Sequence, residues 1–366
     1  MKILVLNYEF PPLGGGAAPV SYEIAKGYVK QGHNVSVVTA GFQDLPLKQE
    51  IGCMTIYRMK CRRAKKETCS PIEQASYLIA ARRFLKNHLK HNSYDICHTH
   101  FIIPTGVLAL WLNKKYHLPY IITAHGSDVP GFNPDRFTLL HKFTKPLLRK
   151  ICSGAKSITA PSQYLADLIE EKIGKYDVTV IPNGAQNFAQ TTSKKTKSIV
   201  TCGRLLPRKG FQLIINTFKK IKKPEWKLYI IGEGPYRADL EQLARSDNRI
   251  IFTGWLNNKE QAFRTILNQA TIFSLLSSSE SQGIVYIEAM SCSCAILAPD
   301  STACKETVDK TCGYLVDLSK EEIIEQKLRH LMDDIDQTIT MGKNARKRYE
   351  HMFEYTKIIP KYEKLL

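Results

Sequence analysis

The sequence predicts an α/β protein built from two doubly wound, Rossmann-like parallel-sheet domains in tandem. Three observations carry that expectation. The chain has 366 residues, more than a single hydrophobic core usually organises. Short apolar runs alternate with helix-length segments almost throughout, the pattern of a parallel sheet covered by helices on both faces. The alternation pauses once, at the polar and aperiodic NFAQTTSKKTK of Asn187–Lys197, which reads as a linker. The expected domains are residues 1–186 and 198–350.

The elements follow in order. KILVLN is a strand, an amphipathic helix runs from about Ala17 to Gln31, and GHNVSVVT supplies a turn and a second strand. DICHTH, YIITAH, KSITA and VTVIP are further strand candidates, most of them separated by helix-length segments. Past the linker the pattern restarts with SIVTCGR, KLYIIG, RIIFTG, ATIFSLLS, CAILAP and GYLVD. The tail after Gly342 is basic and helix-like, with Tyr355 and Tyr362 available for packing.

Composition narrows the class of function. The formal charge is +18 and the pI about 9.4, which suits an anionic partner. Residues 1–186 hold 24 Lys and Arg against 13 Asp and Glu, and the remainder 28 against 21, so the excess is larger in the first half. Ten cysteines at irregular spacing, with no CxxC pair, read as free thiols in a reducing cytoplasm. The apolar runs are too short for a transmembrane helix. No aromatic-rich basic element marks a nucleic-acid binder.

In doubly wound sheets ligands bind beyond the carboxyl ends of the strands, so the residues after each strand are the candidates. After the first strand, Gly14, Gly15 and Gly16 precede a helix and let the backbone approach a phosphate or sugar; the alternative is a flexible loop. The loop is long, holds Pro11 and Pro12, and no acid ends the second strand, so this is not a dinucleotide fingerprint. His98 and His100 share one face of a strand and read as packing or polar lining. His125 and Gly126 end a strand, where the imidazole can enter a cleft or Ser127 and Asp128 can cap a helix. In GRLLPRKG, Arg204 and Lys209 flank a turn and read as a diphosphate clamp, favoured by their place after a strand over the alternative of a solvated charge run. In ESQGIVYIE a helix starts near Gly283 or Ile284. Glu280 then lies in the loop and Glu288 a little over one turn inside the helix. Ionised carboxylates hold sugar hydroxyls, and amides near Gly283 suit a phosphate; a structural ion pair with Lys or Arg is the competing account. The Asp334-x-Asp336 pattern sits in a charged helical stretch and reads as a solvated face rather than a metal site.

Taken together and in order, PPLGGG, GHNVSVVT, DICHTH, TAHGSD, APSQYLADLI, VIPNGA, GRLLPRKG, IGEGP and the E-x7-E motif followed by AM resemble the retaining glycosyltransferases of family 4 along the whole chain. The resemblance implies the GT-B fold, two Rossmann-like domains facing a central cleft, with a last helix of roughly residues 350–366 returning to the N-terminal, acceptor-side domain. It implies that Arg204, Lys209, Gly15, Gly16 and the Gly283, Ile284 and Val285 amides border the donor diphosphate. Glu288, Gly232 and Gly234 would hold the nucleoside. Glu280 and His125 would sit at the transferred sugar. The implied reaction is hexosyl transfer from a nucleotide sugar, a UDP-sugar first, to a saccharide or lipid-linked hydroxyl, with retention and no cofactor or metal. Two places depart from the pattern: Ser291, Cys292 and Ser293 replace the usual ACG, and Thr302 and Ala303 replace two glycines ahead of Glu306. A sugar-nucleotide epimerase and a non-catalytic scaffold on the same fold are the alternatives. The basic RMKCRRAKK of Arg58–Lys66 and the following Arg82, Arg83, Lys86 and Lys90 read either as a solvated loop and helix or as a contact for an anionic membrane surface; the expected location is the cytoplasm, and on the second reading the inner face of the membrane as a peripheral protein.

Overall fold

The computed structural model describes residues 1–133, 138–190, 193–258 and 260–366, with side chains throughout these except at 138–143. The chain divides into two compact units, Met1–Asn183 with Tyr355–Leu366, and Gly184–Glu354.

The N-terminal unit runs β1 (Lys2–Leu6), α1 (Ala17–Lys30), β2 (Asn34–Ala40), β3 (Lys48–Ile51), β4 (Met54–Met59), α2 (Pro71–His88), β5 (Ile96–His100), α3 (Gly106–Tyr116), β6 (Tyr120–Thr123), α4 (Thr138–Ser153), β7 (Ser157–Ala160), α5 (Gln163–Lys172) and β8 (Val178–Val180). Its sheet has the order β3-β4-β2-β1-β5-β6-β7-β8. All pairs are parallel except β3 with β4. The four apolar residues of β1, Ile3–Leu6, are fully buried, as a central strand covered on both faces requires. In register, Ile3 lies opposite Val35 on one side and Ile96 on the other. Helix α1 turns Ala18, Val20, Ser21, Ile24, Ala25 and Tyr28 inward, a three-and-four spacing that makes one apolar stripe. Ser70 and Glu73 form a reciprocal capping box that starts α2.

The β3–β4 hairpin has no clear counterpart in the sequence pattern, because KQEI is polar and mostly exposed and shows no alternation. It changes the reading of the basic run. Arg58 lies in β4, only 4% exposed, with its guanidinium donating to Pro46 O at 3.1 Å and Gln49 Oε1 at 2.9 Å. It is therefore not part of a solvated basic surface.

The C-terminal unit runs β9 (Thr196–Cys202), α6 (Phe211–Lys220), β10 (Lys227–Ile231), α7 (Arg237–Ala244), β11 (Ile250–Gly254), α8 (Gln261–Gln269), β12 (Ala270–Ser274), α9 (Ile284–Ser291), β13 (Ala295–Pro299), α10 (Cys304–Thr307), β14 (Gly313–Val316), α11 (Glu321–Asp333) and α12 (Ile335–Met352). Its six strands are parallel in the order β11-β10-β9-β12-β13-β14, so the direction of winding reverses between β9 and β12. Trp226, Phe211, Phe218, Phe273, Tyr286 and Tyr349 fill its core.

The boundary differs from the expected linker. Phe188 is buried in the C-terminal core; its N–H donates to Ser291 Oγ at 3.2 Å and its carbonyl accepts from Asn268 Nδ2 at 2.7 Å. The amide of Gln190 also donates to Asn268 Oδ1, at 2.8 Å. Residues 187–190 thus belong to the packed unit rather than to a free connection, and Thr191 and Thr192 lie outside the described residues. Asp334 is exposed, as the solvated-face reading expects, and also serves as the N-cap of α12, accepting from Gln337 N at 3.0 Å.

The last helix, α13 (Tyr355–Glu363), packs within the N-terminal unit against α1. A Cβ placed on Gly27 would lie 2.5 Å from Ile359 Cδ1, so the bare backbone of α1 admits the α13 side chain. Gly27→Leu should overpack this contact by ~1–3 kcal/mol and lower the melting temperature by several degrees. An unchanged melt would show that α13 does not depend on that face.

Candidate active site

The C-terminal unit gathers candidate residues at the β9/β12 reversal, where two loops leave adjacent strands in opposite directions. After β9 the chain passes Gly203, with φ at 152°, and Arg204, which is exposed and forms no ion pair among the described residues. Leu205 is buried, and its N–H donates to Glu233 O at 2.9 Å. A short 3-10 turn, Pro207–Lys209, closes onto Gly210 at φ 71°. A Cβ there would lie 1.9 Å from Leu276 O, so only glycine lets this turn press against the chain leaving β12. The amide of Ser278 then donates to Arg208 O at 2.9 Å.

That close approach brings Lys209 Nζ to 2.5 Å from Glu280 Oε1, with the side chains only 17% and 12% exposed. The lysine and the first glutamate of E-x7-E, 71 residues apart, form one ion pair. Gly283, at φ 80°, is the left-handed cap from which α9 departs, and the amides of Ile284 and Val285 belong to the first turn of that helix. Thr307 Oγ1 donates to Gln282 O at 2.9 Å and Tyr286 OH to Leu275 O at 2.5 Å, which fixes the loop at both ends. Glu288 is half-buried in α9 and accepts from Asn258 Nδ2 at 3.4 Å. Burial pushes its carboxyl up to about 7, and the Asn258 contact offsets this only in part.

Gly232 and Gly234 serve a packing need whatever they bind. Cβ atoms on them would lie 1.9 Å from Gly203 O and 2.2 Å from Leu205 O, so they let the β10–α7 turn sit against the Arg204 loop. The two departures from the family pattern also have local consequences. Ser291 donates to Glu288 O at 2.6 Å while receiving Phe188 N, and so ties α9 to the start of the unit. Thr302 holds φ 50°, the left-handed backbone that a glycine would take without strain.

The N-terminal unit has its own cluster at the ends of β1, β5 and β6, beside the β1/β5 reversal. Glu9 Oε2 accepts the Gly15 N–H at 3.3 Å, and burial raises the Glu9 carboxyl above its ordinary range. Gly14 donates to Lys66 O at 2.9 Å. The Arg63 guanidinium donates to the carbonyls of Tyr8, Lys65 and Lys66, each at 3.1 Å, and holds the β4–α2 loop over the glycine turn. Gly16 is the N-cap of α1, while a Cβ on Gly15 would meet nothing within 4 Å. Glu9 was not singled out by sequence, and Arg63 was read only as part of the basic run Arg58–Lys66. The signal for Glu9 was its place just beyond the first strand, ahead of the glycines.

His125 follows β6 and is half-buried. Asp128 Oδ1 accepts from the backbone N–H of His125 at 3.0 Å and of Gly126 at 2.9 Å, and Oδ2 accepts Ile102 N at 2.7 Å. The aspartate therefore fixes the loop rather than capping a helix. His125 Nε2 lies 3.0 Å from His100 Nδ1, and burial pushes the His125 imidazole down to about 3. His125 is thus neutral at physiological pH.

Two Rossmann-type units, one carrying a paired lysine and glutamate, an exposed arginine and a helix N-terminus at its switch point, have the architecture of the GT-B class. The profile described as Glycosyltransferase Family 4 matches residues 14–186, and that described as Glycosyl transferases group 1 matches residues 184–348. The chain belongs to the family 4 glycosyltransferases. It is 23% identical to an N-acetyl-alpha-D-glucosaminyl L-malate synthase of Bacillus anthracis, over 99% of this chain and 96% of that protein. Among solved structures, sucrose-phosphate synthase from Thermosynechococcus elongatus superposes with a TM-score of 0.86 at 18% identity, covering 100% of this chain and 98% of that one. HepE of Anabaena, crystallised with UDP-glucose, gives 0.77 at 18% identity, with the same coverage.

The raised Glu288 carboxyl sets a pH dependence of stability. A carboxyl that holds its proton more tightly in the folded protein stabilises the fold fully below the ordinary carboxylate range, and that contribution is lost as pH rises through about 7. Glu288→Gln should therefore gain melting temperature relative to the wild type as pH is raised from about 5 to 8. A constant difference between the two melts across that range would contradict the buried-carboxyl assignment.

Proposed function

We propose that this glycosyltransferase moves a hexose from a nucleotide diphosphate donor to a hydroxyl of a saccharide or lipid-linked acceptor, with retention at the anomeric carbon and without a metal ion. The observation that carries this reading is the Lys209–Glu280 pair at the switch point, beside exposed Arg204 and the N-terminus of α9. As the donor breaks, negative charge develops on the departing diphosphate. Arg204, Lys209 and the Ile284 and Val285 amides are groups that stabilise it. That role is the one a divalent cation would otherwise fill. Glu280 takes hydroxyls of the donor sugar and Glu288 those of the ribose, the latter as an acceptor-only carboxylate once it has lost the proton that burial holds up to about 7. The choice of UDP follows the neighbour crystallised with UDP-glucose.

The test is nucleotide release and product analysis with UDP-sugars in the presence of a chelator. Arg204→Ala and Lys209→Ala should each lower kcat by roughly 10²–10³, the effect of removing one preorganised charge-stabilising contact. Glu280→Gln should lower turnover while leaving nucleoside diphosphate binding intact or tighter, because Lys209 loses its internal partner. Normal kinetics in these variants would refute the clamp. Activity restored only by magnesium or manganese would refute metal independence. Conversion of the free nucleotide sugar without acceptor would favour an epimerase.

We also propose that the N-terminal unit rests on an anionic membrane surface. Among the described residues no helix is long and apolar enough to cross a membrane. Helix α2 exposes Ile72 at 70% and Ile79 at 54% in line with exposed Arg83 and Lys86. Binding to anionic vesicles should fall as salt shortens the Debye length from about 10 Å at 0.1 M towards 3 Å at 1 M. Equal binding to neutral vesicles would exclude an electrostatic attachment.

A further inference from the structure

Three histidines stack through the N-terminal unit. His98 and His100 lie with ring centroids 4.5 Å apart, and His100 and His125 5.3 Å apart. Both ring nitrogens of His98 are engaged, Nδ1 with Tyr28 OH at 3.0 Å and Nε2 with Thr123 Oγ1 at 2.8 Å. His100 differs. Its Nδ1 meets His125 Nε2 at 3.0 Å, while its Nε2 is buried without a hydrogen-bond partner among the described residues. Burial keeps all three imidazoles below their ordinary range, so the His100–His125 contact joins two neutral rings.

In a neutral pair one nitrogen donates and the other accepts. If His125 Nε2 carried the shared proton, His100 Nδ1 would accept it. The single proton of His100 would then lie on Nε2, a buried N–H with nothing to receive it. Leaving a buried donor unmet forfeits a full hydrogen bond. The reverse arrangement leaves at Nε2 only an unshared lone pair.

We infer that His100 is a positioning residue: its Nδ1–H donates to His125 Nε2 and fixes His125 as the Nδ1–H tautomer, so that His125 offers an N–H to a hydroxyl or phosphate oxygen of the substrate. The last clause rests on the placement of His125 at the transferred sugar that the family resemblance implies. The Asp128 carboxylate holds the backbone of the same residue, so ring and main chain are set independently.

The test is a nitrogen-15 histidine spectrum of the intact protein together with two variants. The wild-type spectrum should show His125 protonated at Nδ1. His100→Asn keeps a donor where Nδ1 stood and should preserve that tautomer, with turnover within a few-fold of wild type. His100→Val removes the donor. It should release His125 to the Nε2–H form and lower turnover by roughly tenfold or more, the usual effect of losing an orienting partner. Nucleoside diphosphate binding should stay unchanged in both variants, which separates the effect from unfolding. A wild-type His125 protonated at Nε2 would overturn the inference, as would a His100→Val protein that keeps both tautomer and turnover. Full turnover in His125→Phe would instead remove the substrate-facing role of His125.

Discussion

The close approach of Gly210 to Leu276 O is the constraint on which the C-terminal site depends. It seats the loop after β9 against the loop after β12, and only then can Lys209 reach Glu280. Neither residue is exposed enough for water to screen the other well. Removing one partner of such a pair leaves an uncompensated charge, whereas the intact pair is close to neutral in its effect on stability. The pair is thus better understood as a way of holding two opposite charges in a poorly solvated place than as a device for stability. Of the two accounts of Glu280 open at the level of sequence, the ion pair is the one the structure contains, and the proposed function adds the ligand contact as a second state of the same residue.

The fold was legible in the sequence because both sheets are built from strands whose apolar runs are short, continuous and separated by helix-length segments. β1, β9 and β12 are read directly from KILVLN, SIVTCGR and ATIFSLLS. The β3–β4 hairpin was not, since an antiparallel edge strand of polar residues has neither burial nor alternation to mark it. Residues 187–190 misled for a related reason. Their packing depends on Asn268 and Ser291, far along the chain, and one buried phenylalanine in a polar segment does not announce itself.

The sites divide the same way. Glycines and cations that follow strands were visible, because the geometry of doubly wound sheets says where to look. What was invisible was partnership. Spacing cannot say that Arg63 spends its guanidinium on three backbone carbonyls, that Arg58 is buried against Gln49, or that Asp128 serves three amides. Each of these removes a charge from the list of candidate ligand contacts. In a chain with a net charge of +18, a cation found in the sequence is therefore a weaker guide to a binding site than a glycine that the backbone cannot replace.

Both units meet a group suited to anions with a carboxylate of their own. Glu9 takes the Gly15 N–H, and Glu280 takes Lys209. An incoming anion at either place must exchange with a carboxylate rather than fill an empty pocket. For the proposed donor this exchange is selective. A bare phosphate that takes Lys209 leaves Glu280 half-buried and unpaired, with its charge no longer compensated. A nucleotide sugar takes the lysine with its diphosphate and returns hydroxyl donors to the displaced carboxylate. On the proposed function, the residue that pairs with Lys209 would discriminate between ligands that carry a sugar and ligands that carry charge alone.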